Sequence, residues 1–169
     1  MTKKVTMKRK DLYSFNATVP TADFVLPIKT SFRYATSKNV KLIASEIKEI
    51  DALFPVPEGF SAYLDARAAV FNKSAVELDR YGNPNMDSFN KLNVKSQESL
   101  NAALAELIEQ NKEMLDTVNA LNTEKLAFID GEIEIDLVTV PLSDVPDISD
   151  KNDPTNHWEL WRNLEFFID

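Results

Sequence analysis

Seven residues decide most of what this chain is able to build. Leu100, Leu104, Leu107, Asn111, Met114, Val118 and Leu121 step by 4, 3, 4, 3, 4 and 3. That spacing averages 3.5 residues and places all seven on one stripe of an α-helix, the kind of seam along which a coiled coil or a helical hairpin packs. It predicts a long helix that opens at Asp87 or Ser88, or afresh at Ser96, and runs to Phe128, with Leu104 and Leu107 buried. A partner lies upstream. Val40, Ile43, Ile47, Ile50 and Phe54 recur at helical steps from Ser37 onward, and Phe60, Leu64, Phe71, Ala75 and Leu78 continue the pattern after Pro55 and Pro57. A proline inside a helix loses a hydrogen bond and clashes with the preceding turn, at about 3 kcal/mol. A kink or break is therefore expected near 54–57, with Pro57 or Glu58 opening the second helix. Arg80, Gly82 and Pro84 mark the expected end of that helix, because a basic last turn, a left-handed cap residue and a proline are the ordinary stop signals.

The ends of the chain read differently. Residues 3–10 alternate enough for a short strand at Val5 to Met7, Asp11 is placed to cap a short helix, and Pro20 and Pro27 bracket a connector. After Gly131, the run EIEIDLVTV alternates aliphatic with acidic residues as a half-buried strand does. Its expected partner is the N-terminal strand, whose lysines would face the acids. An acidic loop with Pro141, Pro146 and Pro154 follows, then HWELWRNLEFFID as a short terminal helix capped at Thr155 or Asn156. The expectation is a mainly α (α+β) fold in one domain: a strand, short helix and connector over 1–36, a long kinked antiparallel helical hairpin over 37–128, a strand at 132–140 completing a two-stranded sheet, and the acidic loop and helix over 141–169.

Composition limits function. The 169 residues hold no cysteine, one histidine and three glycines. Thiolate chemistry, histidine-cluster metal sites and glycine-rich phosphate loops cannot be written with them. No cofactor, no metal and no enzymatic activity is expected. The net charge of −8 and pI near 4.7 oppose binding to nucleic acid or to anionic membranes. The charge is uneven: residues 1–41 hold nine Lys/Arg against two Asp/Glu, and residues 130–169 hold two against eleven. Ends of opposite sign attract, either within the fold or head to tail between molecules. No apolar run of membrane-spanning length and no signal-peptide core is seen, so the protein is expected to stay in the cell that makes it.

The order of features resembles a domain-of-unknown-function family of short helical-hairpin proteins encoded by tailed bacteriophages. The residues that carry the resemblance are LPIKTSFRYATSKNVKLIASEIKEID from Leu26 to Asp51, the acidic strand IEIDLVTVPLSDVP and the closing segment LEFFID. The resemblance implies a phage origin and an accessory role, and it supplies no catalytic residues.

Several constellations were weighed residue by residue. His157 beside Trp158 and Glu159 would need an orienting carboxylate and a nucleophile to act as a base, and a surface place at a helix start is the simpler reading. Glu132, Glu134 and Asp136 share a strand face and would need further ligands to hold magnesium. Asp144, Asp147, Asp150 and Asp153 lack the spacing, glycine and bidentate glutamate of a calcium loop. Lys3, Lys4, Lys8, Arg9 and Lys10, with Tyr13 and Phe15, are the residues that would touch phosphates and stack on bases. Asn111, the one polar member of the seam, is either a register and oligomer device or a local backbone partner. Trp158, Trp161, Phe166 and Phe167 are either core cover or the anchors of a partner-binding segment. By elimination the expected function is protein–protein interaction by a non-enzymatic phage accessory factor, such as inhibition of a host defence factor. The alternatives are a virion or tail assembly subunit, itself a homo-oligomer, and a nucleotide-binding sponge at an oligomer interface.

Overall fold

The computed structural model describes residues 1–19, 28–146 and 162–169. Strand β1 (Thr2–Lys8) runs directly into helix α1 (Arg9–Thr18), and α2 (Thr30–Ala52), α3 (Phe60–Lys73), α4 (Met86–Asn90), α5 (Val94–Gln110) and α6 (Lys112–Ile129) follow before strand β2 (Glu132–Val138). A 3₁₀ turn occupies Leu142–Asp144, and residues 162–165 are helical. The chain forms two compact units, one from 1–54 with 124–169 and the other from 55–123.

The first unit is built on the expected sheet. β1 and β2 pair antiparallel, with Thr2 opposite Val138 and Lys8 opposite Glu132. Met7, Ile135 and Leu137 turn inward and are buried, while Lys4, Thr6, Glu132, Glu134 and Asp136 face solvent, as a period of two requires. Against the inner face pack Leu12 and Phe15 of α1 and the stripe Phe32, Ala35, Asn39, Ile43 and Ile50 of α2. The tail closes this core. Leu164 and Phe167 are fully buried, the Phe167 ring meets Phe15 edge-on at 5.1 Å, and Val140 forms a parallel bridge with Ile168.

Charge complementarity holds the two ends of the chain together within this unit. Lys4 meets Glu134 at 3.2 Å, Lys8 and Lys10 meet Asp130 at 3.1 and 2.8 Å, and Lys29 meets Asp144 at 2.6 Å. Arg162 pairs with the nearly buried Asp11, whose second oxygen accepts the Lys8 amide at 3.3 Å. Asp11 thus lies inside α1, three residues after the cap, and not at the cap expected for it.

The second unit corrects the hairpin. α3 ends at Lys73, not near Arg80, because a six-residue cap closes it: the Val76 amide donates to Phe71 O and the Ala75 amide to Asn72 O, both at 3.0 Å. Ala75 takes the left-handed conformation at φ 56°, a place normally filled by glycine. The Gly82 signal belongs instead to a tight turn. There the Asp79 carboxylate accepts the amides of Tyr81 and Asn83 at 2.8 and 2.9 Å, and Leu78 bridges Pro84. Ala75→Gly is expected to stabilise the protein by about 0.5–1 kcal/mol, read as a shift of the urea midpoint, since it removes the strain of a Cβ at positive φ.

The break at the prolines is where it was expected, although α3 opens at Phe60 after Gly59 and not at Pro57 or Glu58. The long return helix is three pieces: α4, α5 and α6. Asn111 separates the last two with φ −115° and ψ 16°. Its own amide bonds Ile108 O at 3.1 Å, and its side-chain Nδ2 donates to Leu107 O at 2.8 Å. The amide side chain therefore supplies the hydrogen bond that the backbone gives up at the break. The stripe is real but only Leu100 is buried; Leu104, Leu107, Met114, Val118 and Leu121 are half-buried. α3, which packs along α5, has 14 residues and is too short to cover a seam of that length.

Candidate interaction surfaces

Several of the residues that suggested chemistry are tied up structurally. Glu134 on the acidic strand is paired with Lys4, and Asp144 accepts from Lys29 and from the Ser31 hydroxyl at 2.7 Å. Among the described residues, no group of three or more His, Cys, Asp or Glu is placed to share a metal ion. Phe15, a base-stacking candidate, is core. Tyr13 donates its hydroxyl to Asp51 Oδ1 at 2.7 Å, and Lys125 donates to the same oxygen at 2.7 Å. This knot joins α1, α2 and the end of α6 within the first unit. Burial, reinforced by the Asp51 carboxylate, pushes the Tyr13 phenol well above its ordinary range, and the Lys125 ammonium holds Asp51 low. Of the basic cluster, Lys8 and Lys10 are engaged with Asp130, and Arg9 lies over the Phe128 ring at 4.2 Å with Nη1 donating to Phe128 O at 3.2 Å. Gly131 adjoins that corner: a Cβ there would come within 2.6 Å of Arg9 Nη1, and the guanidinium would have to move aside.

Lysine hydrogen bonds hold the carboxyls of Asp51, Asp130 and Asp144 below the usual aspartate range, and the Asn83 amide does the same for Asp79. A carboxyl whose folded pKa is depressed gives stability that is present above its unfolded value and lost as pH falls through the folded one. The expected outcome is a melting temperature that is flat from neutrality to about pH 4 and declines below it, with high salt shrinking the decline because these pairs are exposed. A titration of melting temperature between pH 2 and 7 at two salt concentrations checks it.

The aromatic anchors separate. Phe167 is completely buried, and Phe166 is half-buried against the same core, so a partner reaches neither as a free segment. Asn163, three residues before Phe166, is also buried, with Nδ2 on Ser14 Oγ at 3.1 Å and on Thr18 Oγ1 at 2.8 Å. Trp158 and Trp161 lie outside the described residues, as do His157, Glu159, the remaining acids of the 144–153 loop and the caps proposed at Thr155 and Asn156. The sequence predicts an amphipathic terminal segment, but aromatic composition alone does not say which side of a surface the rings take.

Apolar surface is concentrated elsewhere. The second unit buries three hydrophobic residues, Phe71, Val76 and Leu100, and exposes six large ones: Val56, Leu64, Tyr81, Met86, Val94 and Ile108. Tyr81 is 72% exposed at the tip of the turn that Asp79 organises, with the Arg80 guanidinium 4.6 Å from its ring. A cavity of about 440 Å³ lies between the end of α3 and the start of α5, lined by Val70, Leu92, Leu100 and Ala103 together with Lys73 and the hydroxyls of Ser74, Ser96 and Ser99. No helix among the described residues is long and apolar enough to cross a membrane. Compared with family models, with curated proteins and with solved structures, the chain finds no match.

Proposed function

We propose that this chain is a non-enzymatic, phage-encoded accessory protein that works by binding another protein, such as a host defence factor it inhibits. The observation that carries the binding role is the second unit, which leaves twice as many large apolar side chains exposed as it buries. Apolar surface left out of a small core is the ordinary material of a protein interface, and tyrosine and arginine, here Tyr81 beside Arg80, are among the residues enriched at interface hot spots. The phage origin rests on the resemblance of Leu26–Asp51 and of the acidic strand. A second reading, a virion or tail assembly subunit, is favoured by the half-buried stripe from Leu104 to Leu121, which neighbouring copies would cover.

The test is affinity capture from host lysate, followed by reconstitution of the captured protein with purified chain. Tyr81→Ala and Val94→Asp are expected to weaken that reconstituted complex about tenfold each, the scale of an interface anchor, with unchanged melting temperature. A complex insensitive to both variants counts against this surface. Particles that contain the chain in fixed stoichiometry move the reading to assembly.

A further inference from the structure

Among the described residues the sheet has two strands, so each has an outer edge. Bonds just beyond the strand ends fix which backbone groups point where. Met1 and Thr139 exchange bonds at 3.2 and 2.8 Å, and the Arg9 amide donates to Gly131 O at 2.9 Å. Bonded and non-bonded pairs alternate along an antiparallel ladder. The odd-numbered residues of β1 therefore turn their N–H and C=O groups to β2, and Thr2, Lys4 and Thr6 turn theirs outward. All three residues are exposed, and their outward groups have no partner among the described residues. Lys8 is the exception, its amide being held by Asp11.

The other edge is closed only at its end. Asn39, fully buried on α2, takes both outward groups of Val138: Nδ2 donates to its carbonyl at 2.9 Å and its amide donates to Asn39 Oδ1 at 2.8 Å. Two residues on, the Val140 amide donates to Phe167 O at 2.8 Å. The chain thus closes the Val138 and Val140 end of β2 with its own side chain and tail; along the rest of β2, Glu132, Glu134 and Asp136 turn outward as Thr2, Lys4 and Thr6 do along β1, and among the described residues what tells the two open edges apart is charge, acids on β2 and lysines on β1.

We propose that the outer edge of β1 is a docking site for an extended segment of another protein that alternates acidic with aliphatic residues. An open strand edge accepts a further strand through main-chain hydrogen bonds, and the side chains beside it choose the strand. β1 carries Lys3, Lys4 and Lys8 and no acid. An added strand would lie about 4.8 Å from β1, and the backbone of β2 twice as far away; Lys8 is held by Asp130, so Lys3 and Lys4 set the local field. The Lys4–Glu134 pair is exposed on both sides, 63% and 62%, and an exposed pair leaves Lys4 able to bridge a second carboxylate. β2 itself shows what β1 accepts: acids over the solvent face, aliphatics beneath. The same lysines repel basic strands and other copies of β1, which makes the edge selective. This site lies in the first unit and does not depend on the apolar surface of the second.

The probe is a blocked peptide with the sequence of residues 131–139, compared with a counterpart carrying Glu132→Lys, Glu134→Lys and Asp136→Lys. Amide exchange and chemical shifts of the labelled full chain are followed at low and high salt. The acidic peptide is expected to protect the amides of Thr2, Lys4 and Thr6, to bind at least tenfold more tightly than its lysine counterpart, and to lose that preference in high salt. Thr6→Pro should weaken binding at least tenfold, because it removes an outward donor that the fold does not use. Should that variant not fold, Lys3→Glu with Lys4→Glu reverses the peptide preference if the edge reads charge. Equal binding of both peptides, no binding of either, or protection confined to other residues overturns the proposal. So does protection of Thr2, Lys4 and Thr6 in the free chain that grows with its concentration, which would mean that a second copy closes the edge.

Discussion

Removal of residues 162–169 is expected to abolish cooperative folding of the first unit. The segment contributes Leu164 and Phe167 to the core, each fully buried, and the Phe167 ring sits edge-on to both Phe15 and Phe32 at 5.1 and 6.5 Å. Truncating one such ring, Phe167→Ala, costs about 3–5 kcal/mol through lost transfer energy and the cavity left behind. The deletion adds the loss of Leu164, the loss of the Asn163 bonds to Ser14 and Thr18, and a nearly buried Asp11 left without Arg162. The sum reaches the whole stability of an ordinary domain, about 5–15 kcal/mol. Circular dichroism should show a broad, non-cooperative melt for the deletion and a lowered but sharp one for Phe167→Ala. A deletion that melts within a few degrees of the full chain would mean that this segment is a removable arm and that the aromatics are free to bind.

The second large effect is expected at Asn39. It is fully buried among Phe32, Ala35 and Ile43 on the inward stripe of α2, and its amide replaces a neighbouring strand at Val138. Asn39→Ala leaves a buried backbone donor and acceptor unsatisfied, at about 1–3 kcal/mol for each group. Asn39→Leu restores volume and does not rescue, because the groups that need partners belong to the Val138 backbone and remain. Both variants should therefore lose about 2–5 kcal/mol by urea unfolding. A leucine variant as stable as the native chain would show that water reaches Val138 and that the asparagine is dispensable.

Asn39 also shows why the sequence was read short. The apolar steps from Val40 predict a helix from Ser37; α2 opens at Thr30, and Phe32, Ala35, Asn39 and Ile43 form one continuous face whose polar member an apolar count passes over. A residue whose partner is 99 positions away has no local signature. The same reason explains α3. Arg80, Gly82 and Pro84 are the stronger stop signals, yet the helix ends at Lys73, because burying Val76 beside Phe71 and Leu100 outweighs the strain of Ala75 at positive φ.

What the sequence determined by itself is what local periodicity and steric rules can encode. The alternation in EIEIDLV gave a strand with its acids outward, the prolines at 55 and 57 broke the helical run, and the lysine-rich start met the acidic end, since each depends on neighbours a few residues away or on net charge. Only the tertiary structure decided which apolar residues are covered. The heptad stripe of α5 and α6 specifies that a seam exists, but its burial depends on the length of the helix that α3 makes opposite α5, and at 14 residues that helix falls short. Four aromatic residues near the C-terminus specify a large hydrophobic payload and not its address. Phe167 became core because Val140 and Ile168 dock the tail beside the sheet, a pairing of distant segments that no local pattern contains. The open edge of β1 has the same origin: a strand can be read from alternation, whereas which strands lie beside it among the described residues is a property of the assembled sheet.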